Sequence, residues 1–338
     1  MHPVPINSTK GATEQIGPEL ISQTGSDEKS RPISHQDINI LFSLVTLLPI
    51  ALWIDYRRWA SICRFLAQVT LAGRLGRRRR RQIEGGLRIA FPADNRLFGT
   101  VCRDLEACQL ELRLQILREK LRHDWKPEIS IQGISQLEAA LRAGRGAILW
   151  ISRFSFADTI AKYALHRAGY PLVHLSRSMH GFSTTRFGRR WLNPMQQRVE
   201  NRYLVKRVLL HDHSPVAAMR RLKEVLHANG VVSITVYSRG AYVVDAPFMH
   251  GRWRIATGAP ALAWKTGAQL LPVFVVRDPQ VERFSILIDA PLPVNQADSK
   301  DEAQKRAVTS YLARLEPYVT ANPGQWLGWP SIRAADVK

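Results

Sequence analysis

The sequence predicts an α/β layered domain on a mostly parallel, mixed sheet, preceded by an N-terminal membrane-associated helix. Two observations predict it. From about residue 129, short apolar runs rich in β-branched residues alternate with capped amphipathic segments, the pattern of strands and covering helices. Before that, residues 38–54 form a nearly uninterrupted apolar run, followed by five arginines at 77–81.

The chain has 338 residues, 45% of them hydrophobic, enough for a substantial core and too many for a disordered polymer. Lys and Arg number 48 against 28 Asp and Glu, a formal charge of +20. Such an excess favours anionic partners. Nucleic acid is a poor fit, because no zinc finger, aromatic RNA-binding strand or other recognition element accompanies the arginines. Cys63, Cys102 and Cys108 match no zinc spacing, and an odd count argues against a full disulfide framework. Reduced thiols in a cytosol-facing chain are expected. No metal-ligand spacing and no glycine-rich nucleotide loop occurs.

Residues 1–37 are rich in Ser, Gln, Pro and Gly without periodicity and are expected as a disordered tail. They do not read as a signal peptide, because the apolar run starts too late. Residues 38–81 are expected as a membrane anchor with a basic juxtamembrane segment. "INILFSLVTLLPIALWI" is slightly short for a span and contains Pro49, so it would cross with help from its flanks or lie in the interface. Trp53, Tyr56 and Trp59 suit a headgroup level, and Arg77 to Arg81 suit an anionic leaflet. The expected place is the cytoplasmic face of an inner membrane.

Residues 82–125 are expected to be helical. Leu105, Cys108, Leu112 and Gln115 share one side, and Leu110, Leu114, Leu117 and Leu121 widen the apolar face. Strands are expected at 146–151, 171–175, 203–210, 231–237, 269–276 and 283–288. Pro272 would place the fifth of these at an edge or a bulge. Helices are expected at 156–168, at 214–230 with Ser214 as cap and Pro215 at the first turn, and at 258–267. Ser299 and Glu302 form a capping box, after which Ala303, Ala307, Tyr311 and Leu315 stripe one face. Residues 82–330 thus read as one α/β domain.

Catalytic groups in such folds gather at strand ends and the loops that follow. "ISRFSFAD" meets that description: Arg153 and Asp158 stand between a strand and a helix. A histidine at the first position, held by the carboxylate, would be a general base for acyl transfer.

Several blocks resemble the bacterial lipid A biosynthesis acyltransferases of the lysophospholipid acyltransferase superfamily. They run in the family's order: "LLPIALWIDYRRW…GGLRIAFP", "GAILWISRFSFAD", "AAMRRLKEVLHANGVVSIT", "DAPFMHGRWRIATGAPALAWKTGAQLLPVF" and "NPGQWLGW". The resemblance covers about residues 40–330. It implies an acyltransferase-like domain that moves a fatty acyl group from an acyl-carrier protein or acyl-CoA to a membrane lipid acceptor, with no further cofactor. It also places the catalytic histidine on Arg153 and its carboxylate on Asp158. Gly86 stands where the family has Asn, and "VYSRGAYVVD" stands where it has an Asp-Gln pair.

Arginine has no acceptor and stays protonated, so Arg153 cannot be the base. Three accounts follow. In the first, the base is one of His166, His174, His180, His211 and His213, with His174 the best placed. Alternatively, Arg153 itself binds a phosphate or carboxylate or stabilises the thioester oxyanion. In the third account the chain is an inactive lipid- or acyl-carrier-binding member of the family. The candidate catalytic residues are therefore Asp158, Arg153 and His174. Arg239, Arg252 and Arg254 are candidates for the donor's phosphates.

Overall fold

The computed structural model describes residues 32–177, 180–210, 215–278 and 283–335. The expected tail lies almost wholly outside them, as do Ser214, His211 and His213.

Four helices open the chain: α1 (His35–Trp53), α2 (Trp59–Ala72), α3 (Arg74–Ala90) and α4 (Leu97–Leu121). There follow β1 (Glu128–Gln132), α5 (Ile134–Arg142), β2 (Ala147–Ile151), α6 (Ala157–Arg167) and β3 (Leu172–Arg177). A π-turn at Gly188–Leu192 leads into α7 (Asn193–Asn201), then β4 (Lys206–Leu210), α8 (Pro215–His227) and β5 (Val231–Thr235). The hairpin β6 (Val243–Phe248) and β7 (Gly251–Ala256) precedes α9 (Gly258–Thr266), β8 (Gln269–Arg277), β9 (Arg283–Ile288), α10 (Lys300–Ala321) and β10 (Ile332–Arg333).

The main sheet has seven strands in the order β1-β9-β8-β2-β5-β3-β4. Five run parallel, from β8 to β4, while β9 is antiparallel to β8 and β1 follows β9. The mixed, mostly parallel α/β sheet is thus as expected. β6, β7 and β10 form a separate three-stranded sheet. β2 and β5 are buried along their whole length, which explains why "AILWI" and "VVSIT" read as continuous apolar runs rather than alternating ones. Trp150 projects to the face covered by α10 and packs at a tilt against Tyr311, with centroids 4.5 Å apart. Its neighbours Leu149 and Ile151 face the other way, toward α6.

The expected membrane-associated helix requires correction. Among the described residues no helix is long and apolar enough to cross a membrane. The inner-membrane placement drawn from that run falls with it. The run is used for packing inside the protein. Ile40, Leu44, Leu47 and Ala51 recur at helical spacing and are buried against α4, while Leu41, Phe42 and Val45 are exposed. Two arginines of α4 fasten α1 from below: Arg118 donates to the Ala51 carbonyl at 2.6 Å and Arg113 to Ser43 Oγ at 3.1 Å. A Ser34–Asp37 capping box closes the N-terminus, and Asp37 also accepts from Thr185 Oγ1 at 2.8 Å. The arginine block is a turn of α3, with Arg79 paired to Glu106 and Arg80 to Glu84.

Other expectations shift by position. The 82–125 segment is two helices, α3 and α4, broken at Phe91-Pro92. Leu110, Leu114 and Leu117 are buried as expected, but Leu121 is exposed at the end. Pro272 sits in β8, an interior strand, opposite Trp150. Its missing N–H is tolerated there, and its carbonyl still accepts from Asp289 N at 3.0 Å. The Ser299–Glu302 capping box and the buried stripe Ala303, Ala307, Tyr311 and Leu315 are present.

Gly86 has a packing reason. A Cβ built there would lie 1.9 Å from the Trp329 carbonyl oxygen, whereas one on the neighbouring Gly85 meets nothing within 4 Å. The two glycines therefore respond oppositely to alanine. Gly85→Ala should stabilise by about 0.5–1 kcal/mol through helix propensity. Gly86→Ala should destabilise by about 1–3 kcal/mol through overpacking against backbone. Denaturant unfolding of both variants checks this, and equal shifts would contradict the close approach of α3 to residue 329.

Candidate functional site

Strand β2 ends at Ile151, and the next four residues are tied to the C-terminal segment. Leu327 N donates to the Arg153 carbonyl at 2.9 Å, and Ser155 donates through N and Oγ to the Gln325 carbonyl at 2.8 and 3.0 Å. Phe154 and Trp326 form a bridge. Gln325 is itself held across Arg277, accepting from its N and donating to its carbonyl. The "NPGQW" block thus clamps the loop that carries Arg153.

At this mouth the structure brings four side chains together. Arg153 stacks over the Tyr237 ring with its guanidinium carbon 5.3 Å from the centroid, and Arg177, from the end of β3, does so at 5.1 Å. Asp158, in the first turn of α6, accepts from Thr235 Oγ1 of β5 at 2.7 Å, and Lys162 Nζ lies 4.0 Å from it. Burial pushes the Tyr237 phenol up to about 12. Asp158 adds to the shift and the two arginines oppose it. The phenol therefore stays protonated near neutral pH.

Sequence reasoning placed Arg153 and Asp158 here but missed Arg177 and the role of Tyr237. Arg177 carried a usable signal, as the charged residue ending a strand that neighbours β5. Arg239 is exposed and contributes its backbone, whose carbonyl accepts from Arg177. Arg252 and Arg254 lie on β7, on the opposite side of the strand from the buried Trp253. Arg252 is committed to Asp245 at 3.3 Å, and Arg254 is exposed opposite Asp245 in register. The structure does not gather these three arginines into one cluster with Arg153.

His174 is not at the mouth. It sits within β3 and is buried, with Nδ1 2.8 Å from Ser233 Oγ of β5. Burial, reinforced by the Lys162 ammonium, holds its imidazole well below the ordinary 6.5. A group without a path to substrate cannot take the acceptor's proton. His166 is exposed on α6 near Tyr203, and His180 bonds to Glu200.

Beneath the mouth lies a buried polar cluster. Glu200 of α7 accepts from Lys162 Nζ at 2.6 Å, Arg207 Nη2 at 2.8 Å and Gln196 Nε2 at 2.8 Å, and His180 Nε2 lies 3.0 Å away. Burial alone would raise the Glu200 carboxyl. Lys162, His180 and Arg207 outweigh it and hold the group well below the carboxylate range. Lys162 thus stands between Glu200 and Asp158.

The five-strand parallel core, the loop at 152–158 and the C-terminal clamp all lie within a stretch that matches a known family. Its model, described as bacterial lipid A biosynthesis acyltransferase, matches residues 28–329. The chain belongs to this family. A search of curated proteins found no match. Membership supports an acyltransferase-like function and makes lipid the substrate class to consider.

Two outcomes follow from the buried cluster of this acyltransferase-family chain. Glu200→Gln should cost about 3–5 kcal/mol, because it removes the carboxylate 2.6 Å from buried Lys162 and leaves it only Asp158 at 4.0 Å. The double change Lys162→Met with Glu200→Gln should cost less than the sum of the single changes, measured by denaturant unfolding in a double-mutant cycle. Stability should also fall with acid. Unfolded His174 takes up a proton near its ordinary 6.5, and folded His174 does not. Its contribution is full above that pH and declines as pH drops below it. Glu200 adds a second loss as pH falls through its ordinary 4.5 toward its lowered folded value. Unfolding curves from pH 8 to 4 test this, and a flat profile would contradict it.

Proposed function

We propose that this protein transfers a fatty acyl group from an acyl-carrier protein or acyl-CoA to a lipid acceptor, with Asp158 and Arg153 at the reacting centre. One observation carries the reading. In a chain of this family, a part-exposed carboxylate and an arginine share the C-terminal mouth of the parallel strands. The formal charge of +20 favours an acidic carrier protein as donor.

In this reading Asp158 takes the proton from the acceptor's hydroxyl or amine as the freed lone pair attacks the thioester carbonyl. Arg153 faces the oxyanion that forms. The carbon–sulfur bond then breaks, and the leaving thiolate recovers the proton from Asp158. Thr235 and Lys162 hold the carboxylate in place. An amine acceptor suits a carboxylate base better than an alcohol, because its lone pair is the stronger nucleophile.

A second reading is binding without turnover. It is favoured by one specific observation: of the candidate histidines, His174 is buried against Ser233 and His180 is bonded to Glu200.

Purified protein, labelled acyl donors and a total lipid extract separate the two. Transfer predicts labelled lipid from the wild type. It predicts a rate lower by about 10²–10⁴-fold in Asp158→Asn and by about 10²–10³-fold in Arg153→Ala. His174→Gln, checked for folding, should keep the rate. Wild-type rates in both mouth variants would remove these residues from the chemistry. No labelling by the wild type, with saturable binding of the same lipids, would favour the second reading.

A further inference from the structure

We infer that Arg153 and Arg177 form a two-guanidinium clip for a phosphate ester carried by the substrate, with Tyr237 as its floor. This deepens the proposed function by naming the chemistry the mouth recognises, and it rests on that reading only for taking the mouth as the substrate site.

The argument begins with what these two arginines lack. Four other guanidiniums removed from water face carboxylates, Arg118 with Asp124, Arg207 with Glu200, Arg277 with Glu111 and Arg314 with Asp289, while Arg113 donates to the Ser43 hydroxyl. Arg153 is half-buried, yet no carboxylate or carbonyl among the described residues accepts from its guanidinium. Arg177 is also half-buried and spends one nitrogen on the Arg239 carbonyl. Asp158, in the helix that follows the loop, is engaged by Thr235 and lies beside Lys162. Two positive charges are thus held at one aromatic ring, with the Arg153 fork unspent and the Arg177 fork only partly spent.

Their placement is fixed. Both guanidinium carbons lie over one ring, at 5.3 and 5.1 Å from its centroid, so they are no farther apart than the sum of those distances. The backbone that carries the ring is held in turn, since Ala256 N donates to the Tyr237 carbonyl at 2.8 Å and Val236 N to the Ile151 carbonyl at 2.9 Å. Stacking on an aromatic face pre-organises an arginine fork without consuming its N–H donors.

The ligand chemistry follows from the donor set. A phosphate monoester carries close to two charges and three terminal oxygens, so it can accept from two forks at once. A carboxylate has one charge and two oxygens and would leave the second arginine unpaired. Such a monoester can belong to coenzyme A as donor or to the acceptor's head group.

The test is direct binding by the full chain, with no acyl transfer involved, so failure of the transfer reading and failure of the clip are separate results. Titrate inorganic phosphate by calorimetry at low ionic strength, then coenzyme A as the donor-side probe and glycerol 3-phosphate as the head-group probe. Wild type should bind phosphate. Arg153→Gln and Arg177→Gln should each weaken it by about tenfold or more, and Arg153→Lys should fall between. Arg142→Gln, exposed at the other end of the sheet, should bind as wild type does. Tighter binding of coenzyme A than of glycerol 3-phosphate assigns the phosphate to the donor, and the reverse ranking to the acceptor; either upholds the clip. If one glutamine variant fails to fold, as judged by circular dichroism, the other and Arg153→Lys carry the test. No phosphate binding by wild type, or wild-type affinity in the folded arginine variants, would overturn the proposal.

Discussion

The arrangement of this site depends on one buried carboxylate. Glu200 is inaccessible to water and gathers Lys162 from α6, Arg207 from β4, Gln196 from its own helix and His180 from the preceding loop. A carboxylate in that position is costly unless every lone pair is engaged, and here each oxygen accepts more than once. The consequence is geometric. Because Lys162 sits one helical turn beyond Asp158, fixing Lys162 fixes the rotation of α6 and so the direction of Asp158.

A second constraint acts from the other side of the loop. Residues 322–329 lie far from residue 153 in sequence, yet they accept and donate the hydrogen bonds that an exposed strand-to-helix loop would otherwise give to water. The same segment supplies Trp326 and Trp329 to an aromatic cluster with Trp253 and Phe248. That cluster joins the three-stranded sheet to the domain. The indole of Trp253 reaches Ser238 at 2.9 Å, two residues from Val236 of the central sheet's extension. The loop carrying Arg153 is thus held between an ionic network and an aromatic one, and neither is local in sequence.

The apolar N-terminal run shows how one pattern admits two outcomes. Residues 38–54 have the hydropathy of a marginal span, and their flanking aromatics and arginines agree with that reading. The chain instead pairs one stripe of the run with α4, because α4 presents Leu105, Leu110, Leu114 and Leu117 within reach and arginines that satisfy α1 carbonyls and hydroxyls. A hydropathy pattern measures the wish to leave water. The surface that accepts the helix is decided by the rest of the fold.

What the sequence by itself determined was everything set by local periodicity and local chemistry. The strands at 147–151, 231–235 and 283–288, the Ser299–Glu302 cap, the helix after Asp158 and the family's block order all follow from residues close together in the chain. The loop after the second strand was legible as a candidate site because strand ends in α/β folds are open. Only the tertiary structure decided what Arg153 meets, since its partners Tyr237 and Arg177 arrive from two other strands. It likewise decided that His174 faces Ser233 in the sheet's interior, that Pro272 is central rather than at an edge, and that Gly86 lies against the Trp329 backbone. The physical reason is the same in each case: strand order and helix rotation are fixed by long-range pairing and burial, and those have no signature within a window of neighbouring residues.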